Sequence, residues 1–122
     1  MTPRVLTVDD SASIRLTINA TLSAAGYAVT EANDGAQGLK IAQSQPFDLI
    51  ITDLNMPEMD GLQMIEEIRK GSAAAGVPII FLSTESDGEM KARAKAAGAT
   101  GWLTKPFDPE NLIKIVRKVV GR

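Results

Sequence analysis

The chain has 122 residues, 44% of them hydrophobic and 23% charged, enough to bury one core without staples and consistent with one domain over residues 1–122. Its formal net charge of −2 gives no electrostatic case for nucleic acid. Cysteine and histidine are both absent, which excludes disulfides, thiolate metal sites, cysteine nucleophiles, phosphohistidine and the usual general base, and leaves chemistry to carboxylates, hydroxyls, lysine or backbone.

The first residues, MTPRVLTVDDS, hold a short apolar run followed by two acids, which fits neither a signal peptide nor a membrane span, so a cytoplasmic protein is expected. A first strand is predicted over Arg4 to Val8, ending in Asp9-Asp10. A helix follows over Ser13 to Ala25, where Ile14, Ile18, Leu22 and Ala25 form one stripe and Gly26 is a stop signal. The Asn19-Ala20-Thr21 glycosylation pattern falls inside this helix with no secretory signal beside it.

Strand Ala28 to Glu31 and helix Gly35 to Gln43 come next, then strand Asp48 to Thr52, which delivers Asp53, and helix Leu62 to Lys70 with a stop at Gly71. Strand Val77 to Leu82 runs into Ser83-Thr84-Glu85, and helix Gly88 to Ala97 stops at Gly98. A short strand, Gly101 to Leu103, precedes Thr104-Lys105-Pro106. The last helix, Pro109 to Val120, has Asp108 as N-cap, proline at its first position and a stripe of Leu112, Ile113, Val116, Val119 and Val120.

The runs VLTV, LIIT and VPIIFL read as strands buried on both faces. Five strands alternating with five helices predict an α/β, flavodoxin-like (βα)5 three-layer sandwich with right-handed crossovers and a parallel sheet of order 2-1-3-4-5. In such a sheet ligands bind outside the carboxyl ends of the strands, where strand order reverses, here between strands 1 and 3. The residues arriving there are Asp9, Asp10, Asp53, Ser83 and Lys105. Strand 2 ends outside that crevice, in Glu31-Ala32-Asn33.

Three carboxylates at one mouth repel unless a cation neutralises them, and Mg2+ fits best because it takes one or two carboxylates, keeps waters and completes its shell with phosphate oxygens. Lys105 adds a mobile positive charge and Ser83 a hydroxyl donor, so Asp53 stands among groups that would stabilise a transferring phosphoryl group. The site reads as one built to form an aspartyl phosphate. Taken singly the residues have ordinary readings: Asp10 as a helix cap, Asp9 as a solvated acid, Ser83 as a loop cap, Lys105 as an exposed lysine before proline. Four coincidences at the strand ends of one crevice are harder to accept than a site.

Through VDDS (8–11), ITDLNMPEMDG (51–61), PIIFLSTES (78–86) and GWLTKPF (101–107) the chain resembles a response-regulator receiver domain end to end, and most resembles single-domain chemotaxis regulators. The resemblance implies that Asp53 accepts a phosphoryl group from a histidine kinase or a small phosphodonor, and that Asp10, Asp53 and the Asn55 carbonyl bind Mg2+, with Asp9 acting through water. It implies that Ser83 is a switch hydroxyl, that Lys105 bridges to the phosphoryl group, and that Trp102 stands where an aromatic ring turns inward on activation. Pro106 matches a proline that often follows a cis bond.

Thr84 departs from the family's usual alanine or glycine; bordering the path of water to the phosphoryl group, it is expected to slow phosphate loss. The Asn55 and Glu85 pair matches chemotaxis regulators. With only Gly121-Arg122 after the last helix, no output domain is expected, and a monomer would signal by protein contact through a face carrying Lys91, Arg93, Lys95, Trp102, Lys114 and Lys118. The implied partners are a histidine kinase and a flagellar motor switch or other chemotaxis protein, or alternatively a histidine phosphotransfer protein, with no membrane or nucleic acid involved. Outside the family, a Mg2+-dependent aspartyl-phosphate phosphatase is the rival reading; it would want Asp-x-Asp after the first strand and a cap, where this chain has adjacent acids and none. The chain is therefore not expected to turn over external substrates.

Overall fold

The computed structural model describes residues 2–53, 61–70, 76–84 and 88–121. Five strands, β1 (Arg4–Val8), β2 (Ala28–Ala32), β3 (Leu49–Asp53), β4 (Ile79–Ser83) and β5 (Gly101–Thr104), alternate with α1 (Ala12–Ala24), α2 (Gly35–Ser44), α3 (Gly61–Arg69), α4 (Gly88–Ala97) and α5 (Pro109–Val120). The sheet is parallel throughout, in the order β2-β1-β3-β4-β5. The predicted architecture and strand order are those observed.

Period-two alternation divides the apolar side chains of the central strands between two cores. Leu6 and Val8, Ile50, and Ile79 and Phe81 join α2, α3 and α4 on one face. Val5, Leu49 and Ile51, and Ile80 and Leu82 join α1 and α5 on the other. All five residues of β3 and of β4 are buried, which explains their unbroken apolar runs. The edge strands β2 and β5 are partly open.

The element limits shift by a residue or two, mostly because the ladder continues past the apolar run. Asp53, expected just beyond its strand, pairs with Leu82, and Ser83 pairs with Thr104. At the other end β4 starts at Ile79 rather than Val77; Pro78 has no N–H to give a ladder, although its carbonyl accepts from Ile50 N–H at 2.9 Å. Helix α1 is capped by Ser11, whose Oγ accepts from Ile14 N–H at 3.3 Å, and not by Asp10.

Helix α5 begins as expected, with Asp108 accepting from Glu110 N–H at 3.0 Å and Pro109 in the first turn. Helix α2 lies so close to β1 that a Cβ at Gly38 would stand 2.7 Å from Val8 Cγ2. The Lys105–Pro106 peptide bond is cis. The predicted stop at Gly71 lies outside the described residues, and among those described no helix is long and apolar enough to cross a membrane.

Candidate functional site at the strand ends

Because every strand runs the same way, the carboxyl ends of β1, β3, β4 and β5 open on one side of the sheet. Asp9 leaves β1 buried, 1% exposed. Its N–H donates to Ala32 O at 3.1 Å, and its Oδ1 accepts from Ser11 N–H at 2.9 Å. Asp10, next in the chain, is exposed. Asp53 closes β3 and is 7% exposed. One carboxylate oxygen from each of Asp9, Asp10 and Asp53 lies within 4.8 Å of the others.

Lys105 spans the site. Its Nζ stands 3.1 Å from Asp9 Oδ2 and 3.3 Å from Asp53 Oδ1, and its backbone N–H donates to Ser83 O at 2.7 Å. Burial opposes the charge on Lys105, but the hydrogen bond to Asp9 and the fields of Asp53 and Asp9 outweigh it and raise its pKa above the ordinary 10.5. The ammonium is therefore a fixed part of the site at neutral pH. It pairs with two of the three carboxylates, and Asp10 stands beside them as the third. All the donors are hard oxygens, the set that Mg2+ prefers.

Ser83 is fully buried, and the register sets it one step beyond the Asp53–Leu82 pair. By strand parity it shares a face with Phe81, whose register partner is Trp102. The two rings lie 6.0 Å apart at a tilt of 56°. The indole Nε1–H is buried and meets no acceptor among the described residues. Beside it, an open cavity of about 260 Å³ is lined by Lys91, Ala94, Lys95, Thr100 and Trp102. This cavity lies on the α4–β5 face, apart from the acids.

The structure thus brings together Asp9, Asp10, Asp53 and Lys105, with Ser83 at the neighbouring strand end. Lys91, Arg93, Lys95, Lys114 and Lys118 are exposed on α4 and α5, the helices flanking the β5 edge. Asn55 and Glu85 lie outside the described residues. Two residues that the sequence did not single out for the site belong near it. Arg15 Nη1 donates to Asp9 O at 2.5 Å, and Arg15 Nε pairs with Glu31 Oε1 at 3.2 Å. The signal for Arg15 was faint: it adjoins the buried stripe of α1 and so points along the sheet instead of into solvent.

Known proteins resemble this chain in sequence and fold. Residues 5–117 match the family described as response regulator receiver domain. A probable chemotaxis protein CheY from Rhizobium etli is 36% identical over 97% of this chain and 92% of its own. The solved structure of Vibrio cholerae chemotaxis protein CheY4 is 47% identical and superposes with a TM-score of 0.93, covering 98% of this chain and 99% of that one. The receiver domain of sensor histidine kinase PA1611 from Pseudomonas aeruginosa, solved with a magnesium ion coordinated in the active-site cleft, is 31% identical with a TM-score of 0.91 over the whole of both chains. The chain also spans about half the length of several transcriptional regulators. By sequence and by fold it belongs to the response-regulator receiver domains of two-component signalling.

Proposed function

We propose that the protein is a phosphorylation-activated switch of the chemotaxis type, with Asp53 as phosphoacceptor. The observation that carries this reading is the bridge from Lys105 Nζ to both Asp9 and Asp53 beside a third carboxylate. Asp10, Asp53 and the Asn55 carbonyl would hold Mg2+, with Asp9 acting through water; when bound, the ion neutralises charge on the phosphoryl oxygens.

In the transfer, an Asp53 carboxylate oxygen bonds to phosphorus as the bond to the donor's nitrogen or acyl oxygen breaks, and that atom leaves with the electron pair. Lys105 is already oriented by two carboxylates, so it can turn to a phosphoryl oxygen without first being ordered. Ser83 then donates its hydroxyl to another phosphoryl oxygen. Its movement would be felt by Phe81 and Trp102, which continue the same face toward α4.

Output in this reading is a protein contact made by α4, β5 and α5, and the donor is a histidine kinase in the cytoplasm. The similarity to the Rhizobium and Vibrio chemotaxis proteins supports a role of that type. Affinity capture from the native cells, with and without a phosphate mimic on Asp53, tests the output. A chemotaxis or flagellar motor protein retained only with the mimic is the expected result; a histidine phosphotransfer protein in its place would redirect the reading to a phosphorelay shuttle.

A further inference from the structure

The Asp9 backbone is anchored from two sides. Its N–H is bound to β2 through Ala32 O, and its carbonyl accepts from Arg15 Nη1 at 2.5 Å. That carbonyl belongs to the peptide unit joining Asp9 to Asp10, so the bond fixes the plane from which the Asp10 side chain is presented. Asp10 is exposed, and its position follows the backbone rather than packing. Arg15 is in turn held by α1 and β2. Its Nε donates to Glu31 Oε1 at 3.2 Å, Glu31 Oε2 accepts from Asn19 Nδ2 at 2.8 Å, and Asn19 Oδ1 accepts from Ser23 Oγ at 2.8 Å. The Arg15 side chain is only 17% exposed.

We infer that Arg15 is a positioning residue for the acidic loop: by holding the Asp9 carbonyl it sets the Asp9-Asp10 pair in the geometry that takes a hard divalent cation, with Glu31 and Asn19 holding Arg15. The inference rests on the metal-dependent reading of the site above. A guanidinium carries its donors on separate nitrogens of a rigid planar fork, so Nη1 and Nε hold the carbonyl and the carboxylate in fixed directions, whereas an ammonium offers one mobile nitrogen. Groups that orient metal ligands in this way typically change affinity by about 10- to 100-fold when removed.

The sign of the effect separates positioning from charge. A guanidinium beside a cation site repels the cation, so through charge alone its removal would tighten binding. Loss of positioning weakens it. The test is calorimetric titration of the full chain with Mg2+, run beside thermal melting in EDTA. Arg15→Met is expected to bind Mg2+ about tenfold more weakly than native protein, with Arg15→Lys, which keeps the charge on a single donor nitrogen, between the two.

Affinity in Arg15→Met equal to or tighter than native overturns the inference, including the case where only the melting temperature in EDTA falls, the mark of a purely structural tie. If Arg15→Met does not fold, Arg15→Lys decides by the same sign. Native protein that fails to bind Mg2+ would overturn the metal reading and this inference together; native binding that Arg15 variants leave unchanged would overturn the inference alone.

Discussion

The two ends of the sheet treat charge in opposite ways. At the amino end, Arg69 donates to Val77 O at 2.6 Å and to Gly98 O at 2.7 Å, tying α3 to the loops before β4 and β5. Arg4 there contacts Gln45 and stands 5.5 Å from the centre of the Phe47 ring, while its backbone N–H donates to Asp48 Oδ2 and its carbonyl accepts from Asp48 N–H, each at 2.8 Å. These cations meet carbonyls, an amide oxygen and an aromatic face. At the carboxyl end, the Lys105 ammonium is shared by Asp9 and Asp53 while Asp10 stands beside them. One end closes the fold; the other gathers carboxylates whose mutual repulsion a cation can offset.

The largest expected effect breaks the carboxyl end. Lys105→Met should slow phosphoryl uptake from acetyl phosphate by about 100-fold or more, the usual loss when a charge-stabilising donor is removed. The same variant should bind Mg2+ more tightly, because a competing cation is gone; stopped-flow and calorimetry would check both.

Arg69→Ala breaks the amino end. Removing two charge-assisted bonds to partly buried carbonyls should cost about 2–3 kcal/mol of stability in urea unfolding, while the folded variant still takes up phosphate at close to the native rate. A large loss of phosphorylation in that variant would mean that the two ends are not separable.

A smaller effect concerns pH. The folded-state pKa of Lys105 is raised above 10.5, so its contribution is complete below the unfolded value and is lost as pH rises through the folded one. In Mg2+-free buffer, the stability difference between native protein and Lys105→Met should therefore be constant through neutral pH and shrink only in the alkaline range above about 10.5. The smallest expected effect is in Thr84→Ala: Thr84 is exposed beside buried Ser83, and its removal should speed loss of phosphate. Equal or slower loss, followed by mass spectrometry, would remove the idea that Thr84 hinders water.

The ten elements and their order were legible in the sequence because strands buried on both faces carry unbroken apolar runs, while the helices carry stripes and stops. Exact limits were not, since hydrogen-bond ladders extend to polar residues: Asp53 and Ser83 look like loop residues yet pair within the sheet. Asp9, Asp10, Asp53 and Lys105 could be brought together on paper because parallel strands deliver their carboxyl ends to one side.

Arg15 and Glu31 could not be placed in the same way. The link between them depends on the rotation of α1 against β2, and β2 was expected to end outside the crevice. The cap of α1 went to Ser11, whose Oγ accepts from Ile14 N–H, while a carboxylate oxygen of Asp10 lies in the acidic cluster.

The most direct test of the central claim is intact-mass measurement after incubation with Mg2+ and acetyl phosphate. Native protein is predicted to gain the mass of one phosphoryl group, and neither Asp53→Asn nor native protein in EDTA should do so. No adduct on native protein with Mg2+ present, or an equal adduct on Asp53→Asn, would contradict it.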